Sequence, residues 1–417
     1  MDNKVLDVLE EAWVEELELA PDLGRLEAAI AQKLRVLGQG LLQRVVQRKP
    51  NGYEGSSLAC SCGHRKRFVG HRTRKVHTLF GWIEVSRAYY HCGNCKTSDA
   101  PYDRTAGLGS EQTSPGLAKA CCLLTVDDSF DLSARKVKEL LGQEVSPNTI
   151  ERLAHQIGGK VLQQQDRQLD AFRQDREPPP AQVHPPRLYV TMDGTTVHEK
   201  DGWHDAKAGR LYWEDDRCEP HSYTLGRQTF GWHLWLAACR CGLRRADEVV
   251  VLGDGAAWIR NEKERHFGRA TFIVDWYHAN EHIWDCGKAL FGEGTTAMEK
   301  WSTQREAWLW EGQTRWLTDD LAEQIKDRRG AKRESLEALR RYILTNEWEM
   351  RYDVFRAKGY DIGSGQVEAA CKHVIGKRLK QSGMIWKRPG SSTTLAMRTA
   401  WLNGEWDSLW AAKPMGN

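Results

Sequence analysis

The sequence predicts an α/β core preceded by smaller modules, and three observations predict it. After residue 187, apolar β-favouring runs alternate with helical patterns: EVVVLGD, a helix from Ala256, then TFIVD at 271–275. Such alternation implies a sheet covered on its faces. The stretch PPPAQVHPP at 178–186 cannot continue a helix and is stiff and extended, which marks a domain boundary. Ahead of it, Cys60-Ser-Cys62 and Cys92-Gly-Asn-Cys95 mark a small module of a different kind.

A chain of 417 residues has room for two or three domains with a sizeable core. With 40% hydrophobic and 28% charged residues, it is globular rather than disordered or fibrous. No apolar run approaches the roughly 18 residues of a membrane span. The opening MDNKVLDVLEEAW carries acids where a signal peptide carries basic and then apolar residues, so a cytoplasmic protein with no membrane partner is expected. Eleven cysteines in such a chain point to reduced thiols or metal ligands, not a disulfide framework. A net charge of +3 says little, but between Cys60 and Ala100 eight Lys or Arg face two acids. That excess is a candidate footprint for a polyanion such as nucleic acid, although a solvated face has the same composition.

In chain order, residues 1–55 form an N-terminal helical region. Within it, residues 24–48 repeat Leu, Ile and Val every three or four positions, a stripe suited to another helix or a second subunit. Residues 56–105 read as a Cys-rich, zinc-ribbon-like module with β-favouring runs such as FGWIEVSRAYYHC. Residues 106–177 contain SARKVKELLG, with Ser133 as N-cap and Gly142 as a stop, then SPNTIERLAHQIGGKVLQ, with Ser146 as N-cap and Pro147 at the first helical position. Short helix, turn, longer helix is a helix-turn-helix arrangement; an ordinary helical hairpin fits the same pattern, and the neighbouring basic module favours DNA binding. The linker 178–186 follows. Residues 187–417 then give strands at about 187–192, 208–214 and 221–226, a helix near 228–240, and the two strands quoted above. From about 279 to 350 the pattern is helical and rich in tryptophan (Trp284, Trp301, Trp308, Trp310, Trp316, Trp348), an all-α insertion whose rings mostly fill its core.

Four thiolates at the spacing of Cys60, Cys62, Cys92 and Cys95 can close a tetrahedral structural Zn²⁺ site, compensating for the small core of a forty-residue module. Cys-x-Cys is the less usual half, and His64 offers a replacement ligand; four unrelated reduced cysteines are the alternative. Arg65, Lys66, Arg67, Arg72, Arg74 and Lys75 are the candidate phosphate contacts of this module. Cys121 and Cys122 sit in an apolar run and read as core; Cys371 carries no spacing signal.

Two apolar runs enter Asp-Gly pairs, VTMDG and VVVLGDG. These are ordinary turn dipeptides. They also place Asp193 and Asp254 at strand ends, where ligands of open sheets gather, and Mg²⁺ takes one or two carboxylates from a protein. Glu368, after Gly363-Ser364-Gly365, is the candidate third acid. A lone Glu at that place usually makes a surface pair with Lys372, but this helix also carries Lys377, Arg378 and Lys380, residues suited to phosphate. Asp275 and His278, across a strand-to-helix turn, can ligate metal, orient a phosphate or cap the next helix.

As a set, MDG around Asp193, GDGAAWI around Asp254, the Asp-x-x-His of Asp275 and His278, and GSGQVEAACKHVIGKRLKQSGMIW around Glu368 resemble DDE-type insertion-sequence transposases of the ISKra group, which are distantly Mutator-like. The resemblance spans nearly the whole chain. It implies a ribonuclease H-like catalytic core interrupted by a large all-α insertion, with Asp193, Asp254 and Glu368 as catalytic acids holding two Mg²⁺ (Mn²⁺ as a substitute) and Asp275 and His278 as an accessory pair. The implied reaction is strand cleavage at the ends of a mobile element followed by strand transfer, a two-metal phosphoryl transfer. The implied partners are double-stranded DNA, as terminal inverted repeats and target, and further copies of the chain in a homodimer or larger assembly. Three rivals remain at this stage: a nuclease that cuts without joining, a zinc-bearing, sequence-specific DNA-binding regulator with an idle catalytic domain, and a structural protein that uses its Trp-rich helices for assembly.

Overall fold

The computed structural model describes residues 8–411, apart from 10, 15–16, 182, 214–221, 227–228 and 364–370. The chain divides into two compact units, Met1–Ile157 with Asp407–Asn417, and Gly158–Trp406. The described part is mixed α/β, and no described helix is long and apolar enough to cross a membrane.

In the first unit, helix α1 (Leu23–Arg48) is capped by Asp22, whose side chain accepts from the Arg25 amide. It leads into a four-stranded antiparallel sheet in the order β1 (Ser57–Ala59), β2 (Arg65–Thr78), β3 (Gly81–His91), β4 (Ser98–Asp99). The β2–β3 ribbon alternates buried and exposed positions along β3, with Ile83, Val85, Ala88 and Tyr90 inward. Three helices follow: α2 (Pro101–Thr105), α3 (Pro115–Leu124) and α4 (Phe130–Leu141). The expected N-cap at Ser133 is corrected: α4 starts a turn earlier on Ser129, whose hydroxyl accepts from the Leu132 amide, and Ser133 is buried inside the helix. Gly142 ends it with φ +64°, a left-handed conformation that glycine adopts without a Cβ clash. Ser146 and Pro147 then open α5 (Pro147–Asp175), with the Ser146 hydroxyl accepting from the Thr149 amide; its residues from Gly158 on belong to the second unit.

The second unit is built on a five-stranded sheet in the order β7 (Ser222–Gly226), β6 (Gly202–Trp213), β5 (Arg187–Glu199), β8 (Glu248–Gly253), β9 (Thr271–Val274). β5 pairs antiparallel with β6 and parallel with β8, and β8 is parallel with β9. Between these strands run α6 (Phe230–Arg240) and α7 (Ala257–His266). Alternation along β5 feeds two cores. Leu188, Val190 and Met192 join Phe230, Leu234 and Ile259 on one face; Tyr189, with Leu252 and Val274, joins the helices that follow β9 on the other.

Those helices are α8 (Trp276–Phe291), α9 (Thr296–Trp310), α10 (Thr314–Lys326), α11 (Gly330–Thr345) and, after a 3-10 turn at Glu347–Met350, α12 (Tyr352–Ala357). The helical segment thus begins a few residues before 279 and runs past 350. Trp301 is buried, while Trp308 and Trp310 pack against the same core. Trp316 and Trp348 instead are exposed. The chain returns to the sheet when the Trp276 amide donates to the Ile362 carbonyl, and its described part ends in a π-helical turn (Cys371–Gly376), α13 (Lys377–Leu379), α14 (Arg388–Leu402) and α15 (Trp406–Trp410), of which Asp407 onward belongs to the first unit.

Candidate active site and thiol cluster

Asp193 does not end its strand, which corrects the turn expected at MDG. β5 continues to Glu199, with Asp193 opposite Ala208 and Gly194 opposite Lys207 of β6. What stops is the neighbour: the β5–β8 ladder closes at Thr191 and Leu252, so continuing the register sets Asp193 beside Asp254, just past the end of β8. The side chain of Asp193 accepts from the Gly194 amide at 2.6 Å and from the Cys371 thiol. Burial, reinforced by the Asp254 charge, holds its carboxyl above the usual range despite those two donors and the nearby His278.

Asp254 is fixed by the turn that follows it. Its carboxylate accepts from the Ala256 amide at 2.8 Å, and its carbonyl accepts from the Tyr342 hydroxyl at 3.2 Å. Gly255 has φ +82°, and a Cβ there would stand 3.0 Å from the Asn346 side-chain oxygen, so glycine is needed both for the turn and for the approach of α11. Asn346 is itself clamped, donating to the Tyr342 carbonyl and accepting from Arg260.

Asp275 follows β9, whose Val274 is paired with Gly253. The carboxylate is 1% exposed and caps α8, accepting from the His278 amide at 2.8 Å. The capping role weighed from sequence is therefore present. His278 is part-buried and lies 3.7 Å from Glu281. One turn on, the His282 ring packs tilted against Tyr342 with ring centroids 4.1 Å apart, and burial pushes its pKa down even with Asp285, Glu281 and Asp254 near. Burial and the charges of Asp254 and Asp275 push the Tyr342 hydroxyl upward, so it stays a donor.

Glu368 lies outside the described residues. Among those described, no set of three His, Cys, Asp or Glu ligand atoms within 4.8 Å includes Asp193 or Asp254. Such a set does occur further along β5–β6, at Glu199, Asp201 and His204, where Ser391 donates to the buried Glu199 and His204 lies 2.9 Å from Asp201. Of the basic residues near Glu368, Lys372, Lys377 and Lys380 are exposed, and Lys380 donates to Thr195. Arg378 is fully buried and stacks on Trp386 at 5.0 Å, so it serves packing rather than an accessible phosphate contact.

In the first unit, the sulfurs of Cys60, Cys62, Cys92 and Cys95 converge within 4.8 Å of one another. Neighbouring pairs lie at 3.4 Å (Cys60–Cys62), 3.5 Å (Cys60–Cys95) and 3.7 Å (Cys62–Cys92). A tetrahedral ion with bonds of about 2.3 Å to sulfur requires edges of about 3.8 Å; these three edges lie near that value and the others within 4.8 Å, a donor set that suits Zn²⁺. Two turns create it: Gly63, with φ +83°, donates to the Cys60 carbonyl, and Lys96, with φ 60°, donates to the Cys92 carbonyl. His64 contacts Cys62 at 3.7 Å but stands outside the four-sulfur set. A backbone hydrogen bond from Cys62 and the Thr97 hydroxyl hold the Cys60 thiol down to about 6. Along β2, Arg65, Arg67, Arg72 and Lys75 are exposed. Lys66 and Arg74 are engaged internally, with Asp99 at 3.4 Å and Asp103 at 3.0 Å.

Sequence reasoning missed Cys371, Tyr342, Asn346 and His282. Only His282, one turn after the Asp-x-x-His pair, carried a local signal. Residues 242–412 match an uncharacterised protein family, UPF0236. Over 352 residues, 80% of this chain and 73% of the relative, the sequence is 23% identical to the UPF0236 protein in the vanSb 3′ region of Streptococcus gallolyticus.

Proposed function

We propose that this chain is a DDE-type transposase, which cuts DNA at the ends of a mobile element and joins the freed ends to a target. The observation that carries the reading is the pairing of Asp193 on β5 with Asp254 just past the end of the parallel strand β8, two carboxylates close enough for the charge of one to raise the pKa of the other. Such a pair is relieved by a divalent cation, and oxygen ligands of this kind suit Mg²⁺ or Mn²⁺. The mixed sheet with helices on both faces suits the ribonuclease H-like core that the motif resemblance implies.

In this reading Asp193 and Asp254 hold the metal ions together with Glu368. Bound Mg²⁺ supplies the Lewis acidity that phosphoryl transfer needs. The chain's own residues set the geometry. The Ala256 amide and the Tyr342 hydroxyl keep Asp254 in place, Cys371 orients Asp193, and Asp275 anchors the start of α8 so that His278 faces the same crevice. Lys372, Lys377 and Lys380 supply positive charge to the DNA backbone. In the first unit, the four thiolates hold a structural Zn²⁺ and present Arg65, Arg67, Arg72 and Lys75 to DNA, with α4 and α5 as the helix-turn-helix.

The test incubates the purified chain and Mg²⁺ with labelled duplex copied from the DNA flanking its coding sequence. Nicking by the native protein, and its loss in Asp193→Ala, Asp254→Ala and Glu368→Ala with DNA retention intact, is expected. Cutting that persists in the Glu368 variant removes that residue from the set. Binding without cutting favours a regulator, and cutting without joining favours a nuclease.

A further inference from the structure

Helix α1 has 26 residues and buries none of them fully. One flank is attached to its own module: Gln39 donates to the Trp82 carbonyl at 2.6 Å, Gln43 to the Glu84 carbonyl at 2.8 Å, and Leu42 and Val46 pack on Val76, Ile83 and Val85. The Phe80 ring covers Gly38, where a Cβ would stand 2.6 Å from the ring. The adjoining flank faces outward. Leu34 is 48% exposed, Leu37 45%, Leu41 61% and Val45 41%, with Phe80 at 43% beside them. Together with Ile30 these residues fall within an arc of about 80° at 100° per residue, a continuous apolar stripe along the helix. A stripe of this length left in water is a binding surface looking for an apolar partner.

We propose that the stripe is the seam of an antiparallel pairing between α1 and the same helix of a second copy of this chain, centred between Leu37 and Gly38. About that centre Leu34 meets Leu41, Ile30 meets Val45, and Leu37 lies over Gly38 against the Phe80 ring. Each contact occurs twice, as an isologous two-fold requires. Charge selects the direction. Glu27 is the one acid in α1, against Arg25, Lys33, Arg35, Arg44 and Arg48. An in-register parallel pair would set Arg44 against Arg44, Arg48 against Arg48 and Glu27 against Glu27. The antiparallel register brings Glu27 opposite Arg48 at both ends and opposes the two helix dipoles. Neither Glu27 nor Arg48 has an ion-pair partner in its own chain among the described residues. The same arithmetic gives no comparable complementarity to a lipid surface, which would leave Glu27 unmatched.

The pairing needs no DNA, so light scattering on the full-length, zinc-loaded protein after gel filtration tests it directly. The native chain is expected at twice the single-chain mass, and the Leu34→Glu/Leu41→Glu variant at the single-chain mass with an unchanged circular dichroism spectrum. Glu27→Arg should weaken association about tenfold, and adding Arg48→Glu should restore it, because the swap re-forms the same two exposed pairs. This charge swap reports on register even if the double Glu variant fails to fold. A native chain that stays single at tens of micromolar, a single chain that binds anionic phosphatidylserine vesicles through the stripe, a dimer untouched by the stripe substitutions, or a charge swap that does not restore association would each overturn the proposal.

Discussion

The Cys371 thiol donates a hydrogen bond to the Asp193 carboxylate, joining the start of the C-terminal π-helical turn to the middle of β5. Burial, with the Asp193 charge next in weight, pushes the Cys371 pKa well up, so the thiol keeps its proton and acts as a donor. Removing that donor should matter most where Asp193 is easiest to protonate. Cys371→Ala is expected to move the acid limb of the cleavage pH profile upward, and Cys371→Ser, which keeps an O–H donor, to return it. Identical limbs in all three proteins would show that the contact is only packing.

Asp193 also makes a prediction about stability. Its folded pKa is raised, so the folded chain holds this proton more tightly than the unfolded one, and stability from this group is lost as pH rises through the folded pKa. In Mg²⁺-free buffer Asp193→Asn should therefore melt higher than the native protein at pH 7.5, with the gap closing toward pH 4. Added Mg²⁺ should stabilise the native chain and leave the variant unmoved. A variant that melts lower at pH 7.5 would mean that the carboxylate is well satisfied without a cation.

Gly255 is a point where the end of α11 and the sheet constrain one another. Alanine there forces a side chain into a φ of +82° and against Asn346. Gly255→Ala is expected to cost about 1–3 kcal/mol in chemical denaturation. Because it displaces Asp254, cleavage should fall by more than the loss of folded protein explains. Asn346→Ala added to it should recover part of the stability by opening space, while the backbone strain remains.

The thiol cluster predicts one tightly held Zn²⁺ per chain, measured by atomic emission. Cys92→Ser should release it and expose the β2–β3 sheet to protease, since a small module loses its main stabilisation without the ion. The His64→Ala variant should keep its zinc. Full zinc content in the Cys92 variant, or loss in the His64 variant, would redraw the ligand set.

The strands of the second unit were legible because β-branched runs and turn dipeptides are local signals. Residues 222–226, 248–253 and 271–274 form strands where the pattern places them. The overextended reading was at Asp193, where Asp-Gly suggested a turn. The β-favouring Thr195, Thr196 and Val197 that follow carry β5 onward, and β6 supplies partners as far as Gly202. The Cys60–Cys95 spacing was legible for the same local reason. Tyr342 and Asn346 were not: the Tyr342 bond to Asp254 spans 88 residues, and nothing near either residue in the sequence announces it. Cys371 resembled any buried cysteine, and Arg378 any surface arginine in a basic helix, until the neighbouring elements set one beside Asp193 and the other beneath Trp386.

Crystals soaked in Mn²⁺ and measured at its absorption edge test the central claim most directly. An anomalous peak bridging the Asp193 and Asp254 carboxylates, absent from Asp254→Ala crystals, is the predicted result. Peaks confined to the Glu199, Asp201 and His204 cluster, with none between Asp193 and Asp254, would contradict it.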